Sequence, residues 1–212
     1  MHEETTTKEK ILKKVRKALI EKTIKGFNVD FEKDIYLKEE EPLEIIFARQ
    51  LTKLNGKFIY CETEKELCDN LSDLIFENKW ENIFCFEKTA KEILKKSQIS
   101  FSEKEKDISH VNVGVSLCES LSARTGSVLV SSRQTAGRRL PSFANYHIVI
   151  AYSAQLVYSI KESLNDIKKK YGNNFPSMIV NIAGPSRTAD IEKTLVQGAH
   201  GPKELYVFLV DE

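Results

Sequence analysis

From its amino end the chain alternates between stretches of helical and of strand periodicity. Between residues 5 and 23, Ile11, Leu12, Val15, Ala18 and Leu19 recur at helical spacing among lysines and glutamates. That is the pattern of an amphipathic helix, expected to dock on a larger body by its apolar stripe. Residues 26–41 keep no period and end in the run Glu39-Glu40-Glu41, so they read as an exposed connection. Pro42 opens a second helix with Leu43, Ile46, Phe47, Leu51 and Leu54 on one face, and Asn55-Gly56 stops it.

From Gly56 the texture changes to short apolar runs alternating with helical segments, the mark of a parallel sheet with crossover helices. Strands are expected at 57–61, 82–86, 111–115, 127–131, 147–152, 177–182 and 205–210. Helices are expected at 64–78, 89–97, 155–171 and 188–196, with 116–123 a short helical turn. Gly172 stands where a helix C-cap glycine belongs. The last strand, Leu205 to Val210, is almost continuously apolar, as a strand covered on both faces must be. The fold class that follows is α/β: a doubly wound, mostly parallel sheet over residues 56–212 behind an N-terminal helical extension, 1–55.

Composition narrows the function classes. With 212 residues, 41% hydrophobic and 30% charged, the chain suits one large folded domain with appendages. A net charge of +1 gives no whole-molecule attraction to nucleic acid or an anionic membrane. No apolar run approaches the ~20 residues needed to span a bilayer. Cys61, Cys68, Cys85 and Cys118 form no C-x-x-C pair and no zinc-finger spacing with histidine, so no metal or cofactor is expected on this chain alone. No secretory leader opens the sequence, and reduced thiols in the cytoplasm are the expectation.

The distribution of arginine says more than the net charge. Apart from Arg16 and Arg49, the arginines are Arg124, Arg133, Arg138, Arg139 and Arg187, all in the second half. Guanidinium forks match carboxylate and phosphate geometry, so the cluster points to a small anionic ligand or, equally, to surface ion pairs.

Two segments concentrate the chemistry. In Gly184-Pro185-Ser186-Arg187-Thr188 a sharp strand break precedes an expected helix, with Ser186 or Thr188 as its cap and Asp190 and Glu192 in its first turn. Such a helix start beyond a strand offers N–H groups to an anion, and Arg187 adds charge. The same features also describe an ordinary capped turn. His200, in Gly198-Ala-His-Gly-Pro202, reads as an acid/base group or as a hydrogen-bonded loop histidine. In the second segment, Thr125-Gly126-Ser127 enters an apolar strand whose far end carries Arg133, Arg138 and Arg139. If both segments follow strands of one parallel sheet, they converge on one crevice at its carboxyl edge.

Taken with Leu140-Pro141, the strand Tyr146 to Ala151, the run Gly184 to Glu192 and His200-Gly201-Pro202, these residues resemble the LUD-domain family, of the lactate-utilization protein C type. The resemblance covers roughly Val111 to the C-terminus. It implies a fold similar to the ribose-phosphate isomerase, CoA-transferase and formyltetrahydrofolate cyclo-ligase group. It implies a role in oxidising L-lactate to pyruvate with partner proteins, iron–sulfur clusters being carried by a partner. Relatives often carry an acid just before Thr-Gly, where this chain has Arg124, so no catalytic residue is carried over. Two other readings stay open: a stand-alone enzyme on a phosphorylated sugar, CoA ester or folate, and a non-catalytic interaction or regulatory module.

Overall fold

In a computed structural model, residues 6–20, 40–104, 108–109, 111–134, 139–189, 195–197 and 201–211 are described, the side chains of 188–189 and 195–197 excepted. The chain divides into two compact units, residues 1–38 and 39–212. The first contains helix α1 (Thr7–Ile20). Its start is a reciprocal cap: the Thr6 N–H donates to Glu9 Oε2 at 2.9 Å, and the Glu9 N–H to Thr6 Oγ1 at 3.4 Å.

The second unit begins before helix α2 (Leu43–Lys53). This helix, expected as part of the extension, belongs to the body, because Ile46, Phe47 and Leu51 are buried in its core. Strand β1 (Lys57–Cys61), α3 (Glu64–Glu77), β2 (Ile83–Cys85), α4 (Lys88–Lys96) and β3 (Val113–Leu117) follow in the expected alternation. Thr63 Oγ1 caps α3 by accepting the Glu66 N–H at 3.2 Å. Strands β6 (Tyr146–Tyr152) and β11 (Glu204–Val210) complete an all-parallel sheet of order β1-β11-β6-β3-β2.

The side-chain period of two distributes this sheet between two cores. Ile148, Ile150, Phe208 and Val210 pack with Leu67, Leu71, Ile93 and Leu94 of α3 and α4. Their alternates Val149, Ala151, Val207 and Leu209 pack with α2 and with Leu121, Val128 and Val130. Those last three belong to a second, four-stranded sheet of order β7-β4-β5-β8. It comprises β4 (Ser120–Ser122), β5 (Ser127–Ser131), β7 (Leu156–Val157) and β8 (Ile179–Ile182).

This second sheet corrects the expectation of one doubly wound sheet. The segment expected as a helical turn, 116–123, instead finishes β3 and forms β4. A connection of only Ala123 to Gly126 separates β4 from β5, too short for a crossover, so the two are antiparallel. β8 is also antiparallel to β5. The expected helix 155–171 is shorter: Leu156–Val157 is β7, and α6 spans Ile160–Tyr171, with Ser159 Oγ accepting the Glu162 N–H at 3.3 Å. A short helix α5 (Leu140–Phe143) precedes β6.

The expected helix 188–196 is overturned. Its place holds strands β9 (Arg187–Ala189) and β10 (Leu195–Gln197), paired antiparallel. The Ser186 N–H donates to Pro202 O at 2.8 Å and the Arg187 side chain is tied to α2, so the chain enters this segment extended whatever its helix signals. No described helix is long and apolar enough to cross a membrane.

Candidate functional site

The segments expected to converge on one crevice lie at opposite ends of the second sheet. Antiparallel register sets Val128 beside Ile182 and Ser131 beside Ile179. The Gly184 turn therefore emerges near Ser127, whereas Arg133 follows Ser131 at the other end. Arg133 Nε donates to the Asn174 carbonyl at 3.0 Å, and its Nη2 to Asn174 Oδ1. The Arg139 guanidinium lies 5.6 Å from the Phe143 ring centroid. Arg138, His200 and the Thr188 side chain fall outside the described residues.

What the first group does instead is hold the end of α2. The Thr125 hydroxyl lies 2.8 Å from Ser122 Oγ and 2.6 Å from Ser127 Oγ, bracing the turn. Gly126 has φ +58°, and a Cβ there would stand 2.3 Å from Leu51 N. Gly184 has φ +83°, and a Cβ there would stand 2.6 Å from Leu54 O. Only glycine tolerates both the conformation and the approach. Arg187 Nη2 donates to that same Leu54 carbonyl at 2.6 Å, neutralising a helix C-terminus. With β9 replacing the expected helix, no helix dipole supports an anion at this turn. Ser186 and Gly201-Pro202 do meet, just before β11, at the amino edge of the parallel sheet.

The carboxyl edge of that sheet carries a denser set of titratable groups. Continuing the β2–β3 register, Cys85 beside Val115, brings Glu87 opposite Leu117. As β2 ends, the Glu87 side chain replaces a ladder carbonyl: its Oε2 accepts the Leu117 N–H at 2.8 Å. Its Oε1 is buried and has no hydrogen-bond partner among the described residues. Burial pushes this carboxyl up to about 7, the Leu117 N–H opposing the shift and the Glu119 charge adding to it.

Glu119, two residues past β3, is set up the opposite way. Its side chain is 1% exposed, and it accepts from Ser131 Oγ at 2.6 Å, Tyr171 Oη at 2.7 Å and Lys170 Nζ at 2.8 Å. Burial alone would raise its pKa, but the bonds from Lys170, Ser131 and Tyr171 outweigh it and hold the carboxyl below its usual range. Two neighbouring carboxyls driven apart in this way can serve different roles, one ionised and fixed, the other exchanging a proton near neutrality.

The remaining reactive types are quiet. Burial raises the thiols of Cys61, Cys85 and Cys118, that of Cys85 to about 12, so they are not poised as thiolates. His147 Nε2 lies 2.8 Å from Ser116 Oγ between β3 and β6, and burial lowers its pKa to about 4, leaving it neutral. An open groove of about 820 Å³, lined by Ile75, Phe76, Trp80 and Ile99 among others, lies at the amino end of β2, away from the two glutamates. Among the described residues, no group of three or more His, Cys, Asp or Glu is placed to hold a metal ion.

Motif and arginine reasoning missed Glu87, Glu119, Lys170 and Tyr171. The available signal was positional: each glutamate falls within four residues of the end of an expected apolar strand, 82–86 or 111–115, where a parallel sheet exposes its carboxyl edge.

Comparison with known proteins agrees with the architecture. The family model described as LUD domain matches residues 45–210. Lactate utilization protein C of Shouchella clausii is 33% identical over 102 residues, covering 48% of this chain and 44% of that protein. Its namesake in Bacillus subtilis is 33% identical over 112 residues, covering 51% and 47%. The chain thus spans less than half the length of these two relatives. A crystal structure of a DUF162 family protein from Deinococcus radiodurans superposes with a TM-score of 0.58 at 15% identity, covering 79% of this chain and 96% of that one, a likeness of fold.

Proposed function

The chain belongs to the LUD domain family, and on that premise we propose that it serves lactate utilization as a subunit of an assembly oxidising L-lactate to pyruvate. The observation that carries this reading is the family match over residues 45–210, joined by relatives named lactate utilization protein C. Oxidation of lactate to pyruvate releases two electrons and two protons. In this reading the electrons pass to iron–sulfur clusters on a partner protein, and this chain, working in the cytoplasm, contributes binding and proton handling. Its four cysteines suit that division: none forms a C-x-x-C pair, and burial keeps three of them as thiols.

The stand-alone enzyme gains one observation in its favour, since Glu87 is a buried carboxyl with a near-neutral pKa. The two readings separate in one experiment. Under the assembly reading, the chain co-purifies with an iron–sulfur protein, the mixture reduces a dye in an L-lactate-dependent way, and the isolated chain does neither that nor bind stoichiometric iron or zinc. Lactate-dependent dye reduction by the isolated chain, or no reduction by the mixture, refutes it.

A further inference from the structure

We propose that the carboxyl edge between β2 and β3 is a binding site for a small carboxylate anion, with a protonated Glu87 donating its hydrogen bond to a ligand oxygen. Three independent features meet at this point.

The first is the orphan oxygen. Glu87 is 8% exposed, one oxygen accepts the Leu117 N–H, and the other is buried without a partner among the described residues. Among the described residues no cation is bonded to it, in contrast to Glu119, whose charge Lys170 balances at 2.8 Å. A buried carboxyl with one N–H and no counter-ion holds its proton, and a buried O–H left unpaired is costly enough that an acceptor is called for. The second feature is the helix that begins here. Glu87 is the N-cap residue of α4 yet makes no side-chain cap, and no acidic residue stands in the first turn. The uncapped N–H groups and the positive end of the helix favour an anion beside the Glu87 hydroxyl. The third is position: Lys88 and Thr89, directly after Glu87, are exposed, so the start of α4 borders solvent.

The surrounding charges suit an anion that brings a proton with it. On the β3 side stands the Glu119–Lys170 pair braced by Tyr171, and on the α4 side the Lys91–Glu103 pair at 2.6 Å. Each pair is balanced within itself. The thiols of Cys85 and Cys118 stay neutral. Ionised Glu87 would repel the ligand while protonated Glu87 attracts it, so binding raises the Glu87 pKa and takes up a proton near neutrality.

Only the choice of L-lactate and pyruvate among the probes rests on the lactate reading; acetate tests the site without it. The full chain is labelled with 13C at glutamate carboxyls, and the Glu87 resonance is identified by its loss in Glu87→Gln. Acetate, L-lactate and pyruvate are then titrated at several pH values. The expected result is that at least one probe shifts the Glu87 resonance and raises its titration midpoint. Affinity should fall by up to about tenfold per pH unit between the free midpoint and the ligand-raised one, and Glu87→Gln should bind with no such slope. If Glu87→Gln does not fold, the resonance is assigned through neighbouring backbone signals and the wild-type titration decides alone. The proposal is overturned if none of the three moves the Glu87 resonance at tens of millimolar, or if Glu87→Gln keeps the wild-type pH profile. Acetate and pyruvate binding with no lactate turnover by any mixture would sink the assembly reading and leave the site standing.

Discussion

Removing the Glu119 carboxylate should unfasten three elements at once. Glu119 extends from the end of β3, Ser131 ends β5, and Lys170 and Tyr171 close α6, so one buried carboxylate joins the parallel sheet, the second sheet and a covering helix. In Glu119→Ala the buried Ser131 hydroxyl loses its acceptor, which costs about 1–3 kcal/mol. Tyr171 and Lys170 are nearer solvent, Lys170 with 59% of its side chain exposed, so each adds about 1 kcal/mol or less. Some desolvation cost of the carboxylate is recovered, and a net loss of about 3 kcal/mol remains. For a chain of this size that lowers Tm by about 6–12 °C. Glu119→Gln keeps the volume but turns one acceptor into a donor facing donors, and should lose roughly half as much. The pH dependence carries a definite sign. A carboxyl held below its usual range stabilises the fold above that range and stops doing so as pH falls through the lowered value. The gap between wild type and Glu119→Ala in thermal melts should therefore be full at neutral pH and close on acidification. A variant melting within about 2 °C of wild type at neutral pH, or a gap that persists in acid, would refute the argument.

Glu87 has the opposite sign: its raised carboxyl penalises the folded state as pH climbs from the ordinary carboxylate value to about 7. Glu87→Gln, which can still accept the Leu117 N–H, should melt above wild type at about pH 8 and alongside it at about pH 4. Gly184→Ala meets a Leu54 carbonyl 2.6 Å from the new Cβ at a positive φ, and chemical denaturation should show a loss of about 2–3 kcal/mol. Arg187→Ala removes a charged bond to that same carbonyl; it should cost about 1 kcal/mol of stability and leave calorimetric titrations with phosphate unchanged. Deleting residues 1–24 should leave a body that still unfolds cooperatively by circular dichroism, because the compact unit with all three core clusters lies within 39–212.

The candidate site was the least legible part of the sequence. Gly126, Gly184 and Arg187 stand out by type, and each holds an unusual position against the end of α2. A glycine required by close backbone approach looks the same in sequence whether helix or ligand approaches it. Glu87 and Glu119 were passed over because, 32 positions apart, neither has a local pattern; only the pairing of β2 with β3 brings them to one edge.

The sequence by itself determined every strand of the parallel sheet, to within a few residues, and the helices α2, α3, α4 and α6. Those elements are specified by local periodicity, caps and apolar runs, such as Leu205 to Val210, that suit burial on both faces. Tertiary structure alone decided strand partners and directions, and with them the chemistry. The four-residue connection 123–126 turned β5 back on β4, β8 ran antiparallel beside it, and the two candidate segments were carried to opposite ends. At 187–197, local helix signals yielded to an entry held extended by the bond to Pro202 and the Arg187 tie to α2. Periodicity reports which face of a segment is buried; which neighbour buries it is settled by contacts between residues distant in the chain.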